Sequence, residues 1–386
     1  MVAAAVFYTG WDLLGARELK PERRIGSKTL FDLVKLSFGV VAGAGALVAL
    51  VVAYRRQRVD EDGALREATR LHTERFTTAV TQLGNDSAAV RLGGVHALAG
   101  LADDAPTRAL RQTCIDVLCA YLRLPYIAEA DLPAGDAEAR HTYLALREVR
   151  LTVIRLIRDH LRLPHEHQHS WQGHDFDLTE VTFDGGDLSA ARFSGGTVNF
   201  SGAVFSGGEV NFDETWFSGG TAIFNGATFS GSRVSFHGAM FDGSRVDFRG
   251  ATVSDGMLNF FEAVFSNGLV EFDRVRFSGG RASFDEATFD GSVVVFGGAT
   301  VSDGLVDFNR ATFTEGRVDF RSVTFSGGTV DFRHVVLSGG TVDFGGATFS
   351  GSMVDFTDAH GSAPLGLLSG GSHLPTGLVV PSAWHP

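Results

Sequence analysis

The chain has 386 residues, 48 of them Gly and 32 Phe, and a net charge of −12, which leaves room for two or three domains. The charge is uneven: residues 175–360 hold 18 Asp and 7 Glu against 11 Arg and no Lys, an excess of 14 negative charges, and the remainder is slightly positive. Such a surface excludes direct nucleic-acid binding by that stretch and disfavours anionic lipid, while Cys114 and Cys119, spaced for neither a metal site nor a local disulfide, point to a reducing compartment.

In chain order, residues 1–16 are apolar but broken by Asp12. They read as the tail of a span that begins outside this chain or as a short interfacial helix, and residues 17–35 as a basic linker that completes an N-terminal segment, 1–35. Residues 36–54 carry no charge; as a helix they are ~28 Å long, enough to cross a bilayer and contact membrane lipid. Arg55, Arg56 and Arg58 close the stretch. A cleaved signal peptide fits poorly, because the apolar core is long and lies well inside the chain. Lys20, Arg23, Arg24, Lys28 and Lys35 before it nearly balance Arg55, Arg56, Arg58, Arg66 and Arg70 after it, so the positive-inside comparison is close. The tight Arg cluster and the unpaired cysteines favour a single-pass cell-membrane protein with a cytoplasmic C-terminal portion. Gly39 and Gly43 form a small-xxx-small pair that would let two such helices meet and the chain self-associate. The plainer reading is that Gly is common in membrane helices.

Residues 55–163 read as a helical region. Leu65, Ala68, Phe76, Ala79, Val80 and Leu83 recur at helical spacing, and Gly84-Asn85-Asp86-Ser87 is a stop followed by a new cap. Val90 to Ala102 and Leu110 to Tyr121 mark two further helices, and a fourth runs over about 137–163 with Leu146, Val149, Val153, Ile154, Ile157 and Leu161 inward. On that fourth helix Arg147, Arg150, Arg155, Arg158 and Arg162 make a stripe, which would suit anionic headgroups or nucleic acid but is equally an ordinary charged outer face. Residues 164–175 are a His-rich connector. On a strand, His165, His167 and His169 would share a face and suit zinc; after Pro164, in polar sequence without a nearby Cys, a solvated linker is the better reading.

Residues 176–360 repeat one phrase. Large apolar residues fall at Leu178, Phe183, Leu188 and Phe193, then alternately seven and five residues apart at Phe200, Phe205, Phe212, Phe217, Phe224, Phe229, Phe236, Phe241 and Phe248. The series continues through Phe260, Phe265, Phe272, Phe277, Phe284, Phe289, Phe296, Phe308, Phe313, Phe320, Phe325, Phe332, Phe344, Phe349 and Phe356, with Val253, Val301 and Leu337 filling the gaps. Two residues before each anchor stands a smaller apolar residue, such as Ala203 or Val210. This alternation makes each triplet one short strand with two inward side chains, and the Ser/Gly/Asp runs between triplets are corners. A short period held this long is a solenoid, with these residues as its structural core ladder.

The opening run, in which Phe176, Val181, Gly186 and Ala191 each precede Leu178, Phe183, Leu188 and Phe193 by two, resembles the pentapeptide-repeat family. That resemblance implies a right-handed, four-sided parallel β-helix, twenty residues per coil at the start and twenty-four once two corners are lengthened. A rival solenoid has twelve-residue coils and two faces. It would stack Asp307, Asp319, Asp331, Asp343 and Asp355 in one column ~4.8 Å apart, at a repulsion of order 1 kcal/mol each. Longer coils split them three and two over opposite faces, so the four-sided helix is favoured. Beyond the array, Glu74 to Gly84, Val90 to Leu98 and Cys114 to Tyr126 resemble the helical segment of actinobacterial membrane pentapeptide-repeat proteins, which carry span, helical region and repeats in this order. The expected fold class is α plus all-β solenoid: a transmembrane helix and helical region, then the β-helix. Residues 361–386, rich in Gly, Ser and Pro, are either a disordered tail or a cap over the last coil, and the fourth helix is positioned to cap the first.

No catalytic residues come with the resemblance, and no nucleophile motif such as Gly-x-Ser-x-Gly is present. The Ser-Gly-Gly-Thr-Val-Asp-Phe phrase at 338–344 has the wrong period for a calcium-binding β-roll. No cofactor or metal is expected. The expectation is a non-enzymatic, membrane-tethered scaffold whose acidic rod meets an unknown protein partner. The alternative, which the resemblance brings, is a DNA mimic acting on DNA gyrase or another DNA-binding protein. Exposed Asp and Arg along the rod read as a solubilising surface.

Overall fold

The computed structural model describes Asp12, residues 26–368 and residues 374–385; the readings of residues 1–16 fall outside the described residues, Asp12 apart. The chain divides into two compact units, residues 1–68 and 69–386. From Ser27 onward the first unit is part of one helix, α1 (Ser27–Leu83). It contains the uncharged stretch, in a window of mean hydropathy 2.3 that is left exposed among the described residues. The sequence separates a membrane helix ending at residue 54 from a helical region whose first periodic residue is Leu65; instead, α1 runs through both for 57 residues. The connecting residues contain no Pro, the side chain of Gln57 donates to Glu61 one turn on at 2.9 Å, and the lone Gly63 costs only ~1 kcal/mol.

The second unit begins with the last turns of α1, followed by α2 (Ala88–Asp103), α3 (Arg108–Leu122) and α4 (Ala137–Arg162). Thr107 caps α3 by accepting from the Leu110 N–H, and the Asp136 carboxylate caps α4 by accepting from the N–H groups of Glu138 and Ala139. Helix α2 crosses α1 closely at Gly94, where a β-carbon would lie 2.5 Å from the Leu83 nitrogen and 2.9 Å from the Ala79 oxygen.

The remainder is a parallel β-helix with four strands per coil. One coil reads Thr197–Asn199, Val204–Phe205, Glu209–Asn211 and Trp216–Ser218 before Thr221–Ile223 returns to the first face. Residues pair with those 24 positions on, as Val198 with Ala222, Phe205 with Phe229, Val210 with Val234 and Phe217 with Phe241. The first and fourth faces are separate eight-stranded sheets, whereas the second and third are joined through the eight-residue strands Arg276–Ser283 and Thr300–Asp307. This register puts Asp307, Asp331 and Asp355 in one column and Asp319 and Asp343 in another.

The first coil is longer than expected from the opening run, yet shorter than its successors. Phe176 pairs with Val198 and Thr182 with Val204, because the corner after Phe193 is already long. Only the corner at residues 184–186 lacks its two extra residues, and α4 lies against it. A β-carbon on Gly186 would come within 3.2 Å of the Ile154 side chain.

Inside, the alternating apolar residues form two series, a first through Phe193, Phe205 and Phe217 and a second through Phe200, Phe212 and Phe224, and each divides into two stacks. Phe200, Phe224 and Phe248 stack at 4.7 and 4.6 Å between ring centroids, nearly parallel. Phe212 and Phe236 form a neighbouring stack at 4.7 Å and meet the first edge-on, as Phe200 meets Phe212 at 5.7 Å and 87°. The strand spacing of ~4.7–4.9 Å thus sets the ring spacing, and edge-to-face contact joins the stacks. One core runs from Ala79 in α1 through the stacks to Trp384.

Both ends are covered. At the start, Trp171 is fully buried under α4, stacked on His160 at 4.1 Å. At the finish, the tail is a cap. Leu365 accepts from Phe344 and donates to Val342, Leu378–Val379 pairs with Val354–Asp355, and the Trp384 indole donates to the Gly361 oxygen at 2.9 Å. Two strand edges of the last coil, at Asp343 and at Val354–Asp355, are thereby engaged rather than open.

Candidate interaction surfaces

Outward side chains on the rod fall in straight columns. On the second face Thr228, Thr252, Arg276, Thr300, Thr324 and Thr348 follow one another along the axis. On the fourth, Arg192, Trp216, Met240 and Val264 do so, with the Arg192 guanidinium 5.6 Å from the Trp216 ring centre.

Of the Asp residues that directly precede the second Phe series, most do not belong to an exposed, solubilising surface. Asp247, Asp307, Asp319 and Asp331 are buried. Each accepts, through Oδ1, from the main-chain N–H two residues on, at 2.9 to 3.0 Å, and so closes the short corner that follows its strand. Asn199, Asn211 and Asn259 do the same at other corners. The second carboxylate oxygen faces an arginine: Arg249 with Asp247 at 2.6 Å, Arg321 with Asp319 at 2.6 Å, Arg333 with Asp331 at 2.5 Å, Arg281 with Asp307 at 2.5 Å. Burial alone would raise these carboxyl groups, but at Asp247, Asp319 and Asp331 the guanidinium and N–H donors outweigh it and hold the pKa below the usual range. Asp273 and Asp285 are raised instead, by burial and then by the neighbouring Glu271 and Asp307.

At the junction of helices and rod, the first coil's corners are met in turn by helix side chains. Gln112 exchanges two hydrogen bonds with the Asp175 backbone, at 2.7 and 3.0 Å, and Arg123 pairs with Asp177. Tyr126 and Tyr143 both donate to Oδ2 of Asp184, at 2.8 and 2.7 Å. Burial first, and then this carboxylate, pushes both phenols well above their ordinary pKa. The arginine stripe on α4 is therefore not a free outer face. Arg150 is buried, donating to the oxygens of Leu122 and Thr182 at 2.6 and 2.7 Å. Arg158 binds Asp187 and Asp159, and Arg162 binds Ser189. Arg147 and Arg155 border a cleft of about 490 Å³ with Glu209 on its far side.

Two concave features flank this junction. The larger, about 770 Å³, lies between the α3–α4 connection, the start of α4 and the first coil. The smaller is a void of about 10 Å³ beside His174, whose ring nitrogens are buried and find no partner among the described residues. Burial, and then Arg108 and Arg111, depress the His174 pKa. His160 behaves oppositely. Burial would lower it, but Asp103 at 3.1 Å and the Leu156 oxygen at 2.6 Å accept from both ring nitrogens and raise it.

The structure places Leu178 and the Phe series in the interior, with Phe349 only half-buried near the capped end. Gly39 and Gly43 face open space, with nothing among the described residues within 4 Å of a β-carbon built on either. His165 and His167 lie exposed on turns, not on a strand. Among the described residues no group of three His, Cys, Asp or Glu side chains is disposed to hold a metal ion. Sequence reasoning missed Tyr126, Tyr143 and Asp184. Their only sequence signal was an Asp standing directly after Phe183, where later coils carry Ser.

The model of the family described as Pentapeptide repeats (9 copies) matches residues 196–240. No curated protein and no solved structure matches the chain.

Proposed function

We propose that this pentapeptide-repeat protein is a non-enzymatic scaffold, held at a membrane by residues 36–54, whose acidic β-helix meets a protein partner on the cytoplasmic side. The observation that carries the reading is the division between the inside and the outside of the coils. The inward positions are filled by stacked Phe, while the outward ones recur in register once per coil, as along Thr300, Thr324 and Thr348. A rigid surface with a ~4.8 Å repeat suits recognition of an extended partner at many equivalent points. The buried carboxylates that might otherwise serve as general bases are already occupied by corner N–H groups and arginines. The uncovered apolar stretch of α1 supports the tether.

Biotin-ligase proximity labelling in the native host tests this. The full chain fused at its C-terminus should mark a reproducible set of proteins that a fusion of residues 1–68 does not. Identical labelling by the two fusions would end the scaffold reading. A C-terminal tag should resist protease in intact cells and be cleaved in inverted vesicles. Gyrase mimicry ranks second, because Asp247, Asp307, Asp319 and Asp331 are buried and paired rather than displayed. Unchanged supercoiling by gyrase in the presence of the full chain would remove it.

A further inference from the structure

We propose that the groove between the α3–α4 connection and the first coil docks a short apolar segment of a partner protein that also carries Lys or Arg. This site is distinct from the outer columns of the rod, and the inference holds whether or not those columns have a partner. The groove measures about 770 Å³, the size of a recognition site for a few side chains. Its walls are formed by Leu124, Tyr126 and Ile127 after α3, by Leu132 before α4, and by Tyr143 and Leu146 on α4. Leu124 and Ile127 are 56% and 60% exposed on its rim, where a monomer gains nothing from apolar side chains.

The walls are held from behind. Both phenol hydroxyls are anchored on Asp184, and the Arg150 guanidinium lies 4.1 Å from the centre of the Tyr126 ring while bonded to the oxygens of Leu122 and Thr182. A groove fixed in this way loses little entropy when it is filled.

Charge selects the occupant. Among the described residues that line the groove, the one cation is Arg123, and it is committed to Asp177. The Asp136 carboxylate, which caps α4, stands at the rim with Glu138 and Glu180, and neither glutamate has a cationic partner among the described residues. The surrounding rod adds its own excess of negative charge. Anionic lipid, nucleic acid and the same acidic face of a second copy are all repelled, whereas a cationic, apolar segment is attracted twice.

The test uses the full chain in phosphatidylcholine nanodiscs and fluorescein-labelled peptides of about twelve residues, long enough to fill such a groove. All carry two Leu and one Phe; one set adds two Lys and the other two Glu. Fluorescence anisotropy should show the Lys set binding and the Glu set at least about tenfold weaker, the ratio that 1.4 kcal/mol represents. Ile127→Asp should weaken the Lys peptides by about tenfold or more, and Glu138→Lys with Glu180→Lys should reverse the preference. All three positions are exposed, and an unchanged melting profile shows that each variant is folded. The proposal is overturned if neither set binds, if binding survives Ile127→Asp, or if the charge swap leaves the preference unaltered. Equal binding to empty nanodiscs would assign the signal to the lipid, and a dimer that Ile127→Asp dissolves would assign the groove to a second copy; either result overturns it.

Discussion

Asp319 carries three duties on one side chain: it accepts the Arg321 N–H at 3.0 Å and pairs with the guanidinium groups of Arg321 and Arg317 at 2.6 and 3.0 Å. Replacing it with Ala strands a corner donor and two arginines and should cost about 1–3 kcal/mol. Asp319→Asn, which keeps the acceptor, should cost less; equal losses in urea melts would show that the corner bond is unimportant. Because the folded pKa of Asp247, Asp319 and Asp331 is depressed, their contribution is complete above the unfolded value near pH 4 and disappears as pH falls through the folded value. Two residues after every Phe of the second series the backbone turns left-handed, with Gly at positions such as 226 and 346 and other residues elsewhere, among them Ser322 at φ 57°. Ser322→Gly should therefore stabilise by about 0.5–1 kcal/mol, the left-handed penalty less the entropy of Gly. A loss of stability in the same melt would contradict that.

Among the elements, the two ends of the β-helix are closed by different means. Helices α3 and α4 bring side chains to the first coil, whereas the C-terminal tail brings main-chain pairs and Trp384. Deleting residues 362–386 should uncover the edge at Val354–Asp355 and produce concentration-dependent association in sedimentation. A monomer at all concentrations would mean that the tail protects nothing. At the helical end the His160 pKa is raised, so its contribution is full below pH ~6.5 and is lost as pH rises through the folded value. His160→Gln should hence lose more stability, relative to the parent, at about pH 5.5, roughly one unit below the unfolded value, than at alkaline pH. A pH-independent difference in denaturation midpoint would assign His160 to packing on Trp171 alone.

For the whole molecule, the consequence of two units is separability. Residues 69–386 contain the described core from Ala79 to Trp384, so removal of residues 1–68 should release a folded protein into the aqueous phase while the full chain stays with membranes after alkaline washing. Loss of β-sheet signal on that deletion would mean that the first unit supports the second. Much of this plan was legible in the sequence. The uncharged stretch announced a helix able to cross a bilayer, and the seven-and-five spacing of Phe with the Asp distribution identified four faces. The caps of α3 and α4 were not resolved that way, and α1 continued past its expected end. Charged residues without Pro look like a linker but propagate a helix equally well.

Sequence by itself determined what repetition enforces: inward Phe, corners of Ser and Gly, the constant length of the later coils and the identity of the strands. Each of these follows from local periodicity, and a one-residue slip would turn every Phe outward. Tertiary structure alone decided which polar groups were consumed. Asp247, Asp307, Asp319 and Asp331 look exposed in a list of letters, yet the corner geometry turns them towards N–H groups and arginines. The α4 arginines look like a stripe until Thr182, Asp187 and Ser189, up to 32 residues away, arrive to meet them. Tyr126, Tyr143 and Asp184 converge only because one shortened corner lets α4 lie against the first coil. Side chains brought together by packing rather than by period leave no repeating pattern in the chain, and here only the lone Asp184 in place of Ser marks the spot.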